Sequence, residues 1–236
     1  MRIIVVMKKR LAAHTPTLIR LLDEQGWDAT TVDALAQEVG VSRATFFRTF
    51  GSKEDVVFHD HALLLEELEE FLAAAEPGPE ATSAAFVEGV LRVFRHHTSD
   101  PVQAQARYRL LRQSKALRNR ELLTSHGYER LFARWLRGRL SGAGATAFAL
   151  AGAAVAVHNA TLRSWLRAGE ETGALPDAGP AEARLAAQLE RIVAALTRPA
   201  GTAGEAPRVR TVVVTVDEGR PGTDAVLASV RAALEG

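Results

Sequence analysis

Apolar positions along the chain recur mostly at helical spacing. Leu18, Ile19, Leu21 and Leu22 follow Thr15-Pro16, a capping residue with proline at the first helical position, and they end before Gly26. A first helix is expected there. Thr30 or Thr31 can cap a second helix of about two turns that carries Val32, Leu35, Ala36 and Val39 and stops at Gly40. Ser42 caps a third, with Phe46, Phe47 and Phe50 on its buried side. Ser52 and Asp55 give a capping-box-like start to one long helix reaching Ala75. Two prolines and a glycine within Glu76-Pro-Gly-Pro-Glu80 mark a candidate domain boundary. Beyond it the helical period returns over 84–97, 101–114, 116–140, 144–168 and 181–197.

The two ends break this pattern. Residues 3–7 are an apolar run, 199–207 read as a Gly/Ala/Pro link, 209–216 are rich in Val and Thr like a strand, and 224–234 suit a short helix. Ile3–Val6 could pair with Val212–Val216 as a small terminal β element, or both could be loose extensions; periodicity leaves the two open. The expected fold class is otherwise all-α.

Composition removes several functions. The chain has no cysteine, which excludes disulfides, cysteine-ligated zinc, iron–sulfur clusters and thiol nucleophiles. The run at 3–7 is too short for a secretory signal, and the apolar stretch 143–157 falls short of the roughly 20 residues that span a bilayer. No membrane segment is expected, and a cytoplasmic location fits. Neither HExxH, a phosphate loop nor a nucleophile elbow occurs; His59-x-His61 and His96-His97 have metal-capable atoms but poor supporting ligands. No catalytic residue, metal or cofactor is expected.

Charge is distributed unevenly although the net is only +1. Residues 39–53 hold Arg43, Arg48 and Lys53 and no acid, while 107–139 hold ten Lys or Arg against Glu121 and Glu129, a surplus of eight. Two short helices joined through Gly40-Val41-Ser42 have the layout of a helix-turn-helix, whose second helix would present Arg43, Ala44, Thr45 and Arg48 to the major groove. A generic three-helix core has the same periodicity.

The residues Ala29-Thr30-Thr31-Val32-Asp33-Ala34-Leu35-Ala36 and Gly40-Val41-Ser42-Arg43-Ala44-Thr45-Phe46-Phe47-Arg48-Thr49-Phe50-Gly51-Ser52-Lys53-Glu54-Asp55 resemble the TetR-family signature. The resemblance covers about residues 15 to 60. It implies a DNA-binding domain over 1–53, a helical ligand-binding and dimerisation domain over 54–198, and an extension over 199–236 of unassigned role. It further implies a transcriptional regulator, most simply a repressor released by a small molecule from a palindromic double-stranded DNA operator bound by a homodimer. Carried over by position, Thr31, Thr45 and Lys53 hold phosphates and Arg43, Ala44 and Arg48 face bases, with Ser42 and Phe47 beside them. Phe47 stands where the family commonly has tyrosine, and Pro16 would shorten or kink the first helix.

For the ligand, the bulky or polar residues Phe94, Arg107, Tyr108, Leu111, Trp135, His158, Asn159 and Trp165 are the candidates, with Phe86 and Val90 as further choices. The basic run, with Arg107 and Arg118 eleven residues apart, suits an anionic or acyl-bearing effector or else a solvated surface. Small residues over 144–160 and the amphipathic segment 181–196 suit a dimer interface. The rival reading is a helical protein-interaction module that keeps the fold without DNA binding, favoured by eight cations and eight acids over residues 1–60.

Overall fold

The computed structural model of the chain describes residues 13–140 and 144–197. α1 (Thr15–Gln25), α2 (Val32–Glu38) and α3 (Arg43–Phe50) are followed by α4 (Lys53–Val57) and α5 (His59–Ala73). After them come α6 (Pro79–Thr98), α7 (Pro101–Gln113), α8 (Lys115–Arg137), α9 (Gly144–Thr172) and α10 (Gly179–Thr197). The architecture is all-α, as expected, with no strand among the described residues. The suggested terminal pairing, the helix at 224–234 and the extension 199–236 lie outside the described residues.

Helix ends follow their capping chemistry. Thr31, Ser42, Ser52, Asp100 and Ser114 each accept a hydrogen bond from the backbone N–H three residues on, satisfying a donor the helix itself cannot pair. Gly40, at φ +66°, takes the left-handed conformation that turns the chain from α2 into α3. Thr15 departs from its expected role. It lies inside α1, buried and with its hydroxyl unpartnered, while His14 holds the cap position without a side-chain bond and Pro16 fixes the first turn.

The single helix expected from Ser52 to Ala75 is two helices. Val56, Val57 and Phe58 are consecutive apolar residues, and a continuous helix would spread them over some 200° of its circumference. The break at Phe58 (φ −119°, ψ 14°) lets all three be buried. Nor is 76–80 a domain boundary: α5 and α6 pack on each other across it, and Pro79 simply opens α6.

The core has two parts. Leu18, Ile19, Leu22, Trp27, Leu35, Phe46, Phe50 and Val56 from α1–α4 and their loops form one cluster together with Ala106 and Leu110 of α7 and Leu117 of α8. Leu68, Leu72, Phe86, Phe94, Phe132, Leu150, Trp165, Leu185 and Leu189 belong to the other. Each fully buried Leu or Phe contributes about 1.5–3 kcal/mol. By length and composition α9 could cross a membrane; Leu150, Val155, Trp165 and Leu166 on it are buried against the protein's own core.

Candidate functional site

α3 is held by burial of Phe46 and Phe50 on one side, which commits the other side to solvent. Arg43, Ala44 and Arg48 are on that outer side. Phe47, expected inward, is there too, 39% exposed. At 100° per residue Phe47 cannot share the face of both Phe46 and Phe50. The Arg43 guanidinium lies 5.4 Å from the Phe47 ring centroid and donates from Nη1 to Asp33 Oδ2 of α2 at 2.7 Å. Arg48 donates from Nη2 to Thr45 Oγ1 at 3.3 Å, and Thr45 Oγ1 also receives the Ser42 hydroxyl at 3.0 Å. Two arginines thus leave one exposed helix face beside Thr31, Ser42 and Thr45.

Lys53 points elsewhere. Its Nζ donates to the backbone carbonyls of Trp27 and of Thr30, the latter at 2.8 Å, and sits 4.2 Å from the Trp27 ring centroid. Partial burial lowers its pKa, against the pull of Asp28 and Glu54. The ammonium ties α4 to the α1–α2 loop.

Between α5, α6, α7, α8 and α9 is a cavity of about 300 Å³. Phe58, Val90, Val93, Leu111, Phe132, Val155, Leu162 and Leu166 give it apolar walls. His61, His97, Arg107, Tyr108, Tyr128, Ser125, His158 and Asn159 add polar atoms, and Arg112, Arg118, Glu121 and Arg163 also line it. Burial holds His61 at about 3 and His158 at about 4, and lowers His97 well below the usual imidazole range, so all three are neutral at pH 7. His61 Nδ1 is hydrogen-bonded to the Tyr128 hydroxyl at 3.0 Å, and His158 Nδ1 donates to Asn159 Oδ1 at 3.1 Å. Burial also raises the Tyr128 pKa, keeping that phenol neutral.

Arg107 closes the cavity toward α5. It donates to Asp60 Oδ2, which also accepts from His96 Nε2 at 3.0 Å. Burial alone would raise the Asp60 pKa, but the Arg107 charge, His61 and the two hydrogen bonds hold it well below the usual carboxylate range. Arg107 also borders a second cavity of about 200 Å³ that reaches Thr15 and Pro16 at the start of α1.

Residues 17–59 match the family described as bacterial regulatory proteins, tetR family. The chain carries the DNA-binding domain of TetR-family regulators. No curated protein is closely similar to it in sequence. Its fold resembles that of NalD, the secondary repressor of the MexAB-OprM multidrug efflux pump in Pseudomonas aeruginosa, at 18% identity and TM-score 0.50, over 77% of this chain and 96% of that one. A TetR-family regulator from Streptomyces coelicolor is similar at 21% identity and TM-score 0.50, over 79% and 95% of the two chains.

The regulator is accordingly a DNA-binding transcriptional protein rather than an enzyme. Of its expected ligand residues, Arg107, Tyr108, Leu111, His158 and Asn159 share the cavity, as does Val90. Phe94, Trp135, Trp165 and Phe86 do not line it. Phe94 and Phe86 are core, and the two indoles donate to backbone carbonyls, Trp135 to Leu72 and Trp165 to Pro176. In the sequence His61 and His97 stand out only as members of metal-capable pairs, and among the described residues no cluster of His and acids is arranged for a metal. A usable signal existed: His61 stands in the stripe of Leu64, Leu68 and Leu72, where a polar residue facing inward points to a cavity wall.

Proposed function

We propose that the regulator is a repressor that binds a palindromic operator as a homodimer in the cytoplasm and leaves it when a small molecule fills the cavity. One observation carries the ligand response. α7 is shared: Arg107, Tyr108 and Leu111 line the cavity, while Ala106 and Leu110, on its other side, belong to the core of the DNA-binding helices. Arg109 extends that side by donating to Asp23 of α1, and Arg120 of α8 pairs with Asp55 of α4 at 2.6 Å. A ligand that displaces α7 therefore works against groups that orient α1 and α4. A coupling of about 1–3 kcal/mol suffices for 5- to 150-fold release.

On this reading α3 enters the major groove, which is wide enough for one helix, and Arg43 and Arg48 contact base edges. Thr31, Ser42 and Thr45 lie at the rim for phosphates. Lys53, turned inward, supports the loop before α2 and is assigned no base or phosphate. The dimer forms through α9 and α10, where Phe148 is 59% exposed near Gly152, which has open space beside it. Leu185, Leu189 and Val193 of α10 face the protomer's own core, so the contact uses the opposite side of that helix. The division at residues 53 and 54 then separates functions more than packing, since the first cluster crosses it.

The test is selection of bound duplexes from random DNA with the wild type, Arg43→Ala and Arg48→Ala. A two-fold symmetric consensus that relaxes at one base position per half-site in each variant is expected, at a cost of about 1–3 kcal/mol per lost arginine–guanine contact. Absence of enrichment at low salt would replace this reading with a helical protein-interaction module.

A further inference from the structure

The arginines of the cavity are not equivalent. Arg107 is neutralised by Asp60 at 2.7 Å, Arg112 by Glu170 at 2.7 Å and Arg163 by Glu121 at 3.1 Å. Arg118 has no carboxylate among the described residues: its Nη1 donates to the backbone carbonyls of Leu111 and Arg112, both at 3.1 Å. These bonds brace the guanidinium over the end of α7 and leave Nη2 and Nε without a partner among the described residues. Four arginines against three carboxylates leave one positive charge, and it sits at a rigidly held fork that suits two parallel bonds to a carboxylate.

Position sorts the polar groups further. Arg112 and Arg163 have half or more of their side chains exposed and Arg118 is exposed with them, whereas His61, Tyr128 and His158 are buried. The charged side is thus the mouth, and the interior is apolar with neutral rings. A volume near 300 Å³ is at the lower end for small-molecule sites.

Building on the effector reading, we infer that the cavity takes a medium-sized monocarboxylic acid, its carboxylate on Arg118 at the mouth and its uncharged apolar body among Phe58, Val93, Phe132 and Leu162. The surplus of one positive charge matches one carboxylate. A coenzyme A thioester fits poorly, because it has no free carboxylate at the acyl end and brings several phosphates to a single unpaired cation.

The experiment is calorimetric titration of the full chain with decanoate, methyl decanoate and decanoyl-coenzyme A, repeated with Arg118→Ala and Arg118→Lys. Arg118 is exposed and outside the core, so both variants are expected to fold, which a thermal melt checks. Decanoate is expected to bind at least about tenfold more tightly than its ester, and Arg118→Ala is expected to remove that difference by weakening the acid alone, with Arg118→Lys intermediate. Equal binding of acid and ester, tighter binding of the thioester, indifference of decanoate to Arg118→Ala, or no binding of the acid at millimolar concentration would each overturn the inference. Operator release tested with a panel of neutral and cationic compounds judges the effector reading separately: release by any of them preserves that reading while the carboxylate assignment falls.

Discussion

Arg107 and Asp60 meet through one hydrogen bond of 2.7 Å, with the arginine side chain 9% and the aspartate 14% exposed. The pair joins α7 to α5 between the large cavity and the smaller one beside α1. Removing one member leaves a buried charge without its partner, and Asp60→Asn is expected to destabilise the protein by about 3–5 kcal/mol. Replacing both residues by leucine is expected to cost less than the single change, because no unpaired charge remains. Urea unfolding of the two variants checks this, and a double variant less stable than Asp60→Asn would refute the account.

Acid is expected to weaken the fold before any carboxylate is protonated. His61 and His158 have folded pKa values of about 3 and 4, below the unfolded value of 6.5, so the unfolded chain binds more protons once the pH falls below 6.5. Their contribution is complete above that value and is lost as the pH drops toward the folded pKa, at about 1.4 kcal/mol per pH unit for each histidine. His97 acts in the same direction. Denaturant titrations at pH 7 and pH 5 should show the loss, and His158→Gln should reduce its slope; a stability unchanged over this interval would contradict the neutral cluster.

Lys53 separates a structural from a DNA-contacting role. Its ammonium is committed to the carbonyls of Trp27 and Thr30 and to the Trp27 ring, so Lys53→Met is expected to lower stability by about 1 kcal/mol. The slope of log affinity for operator DNA against log salt should stay the same. A slope smaller by about one would instead make Lys53 a phosphate ligand in the complex.

Much of this was legible locally. Thr31, Ser42 and Ser52 cap the helices they were expected to cap, because an N-cap bond spans only three residues and needs no distant partner. The helices beyond residue 79 start and stop within a few residues of their expected ends, since amphipathic spacing and Pro79 and Pro101 act along the chain. The motif on α2 and α3 likewise identified the family from short-range pattern.

What the sequence by itself determined, then, is most of the helix placement, the DNA-binding motif and the outward arginines of α3, while the break at Phe58 came from burial of Val56, Val57 and Phe58 together. Tertiary structure decided which inward positions are core and which are cavity. Trp165 and His158 both face inward from α9, yet Trp165 packs into the core with its indole on Pro176 while His158 borders the cavity, and periodicity treats the two alike. Only the fold could show that, among the described residues, Arg118 alone of the cavity arginines lacks a carboxylate. Asp60, Glu121 and Glu170 lie 42 to 58 residues from the arginines they neutralise, and ion pairing depends on distance in space, not along the chain.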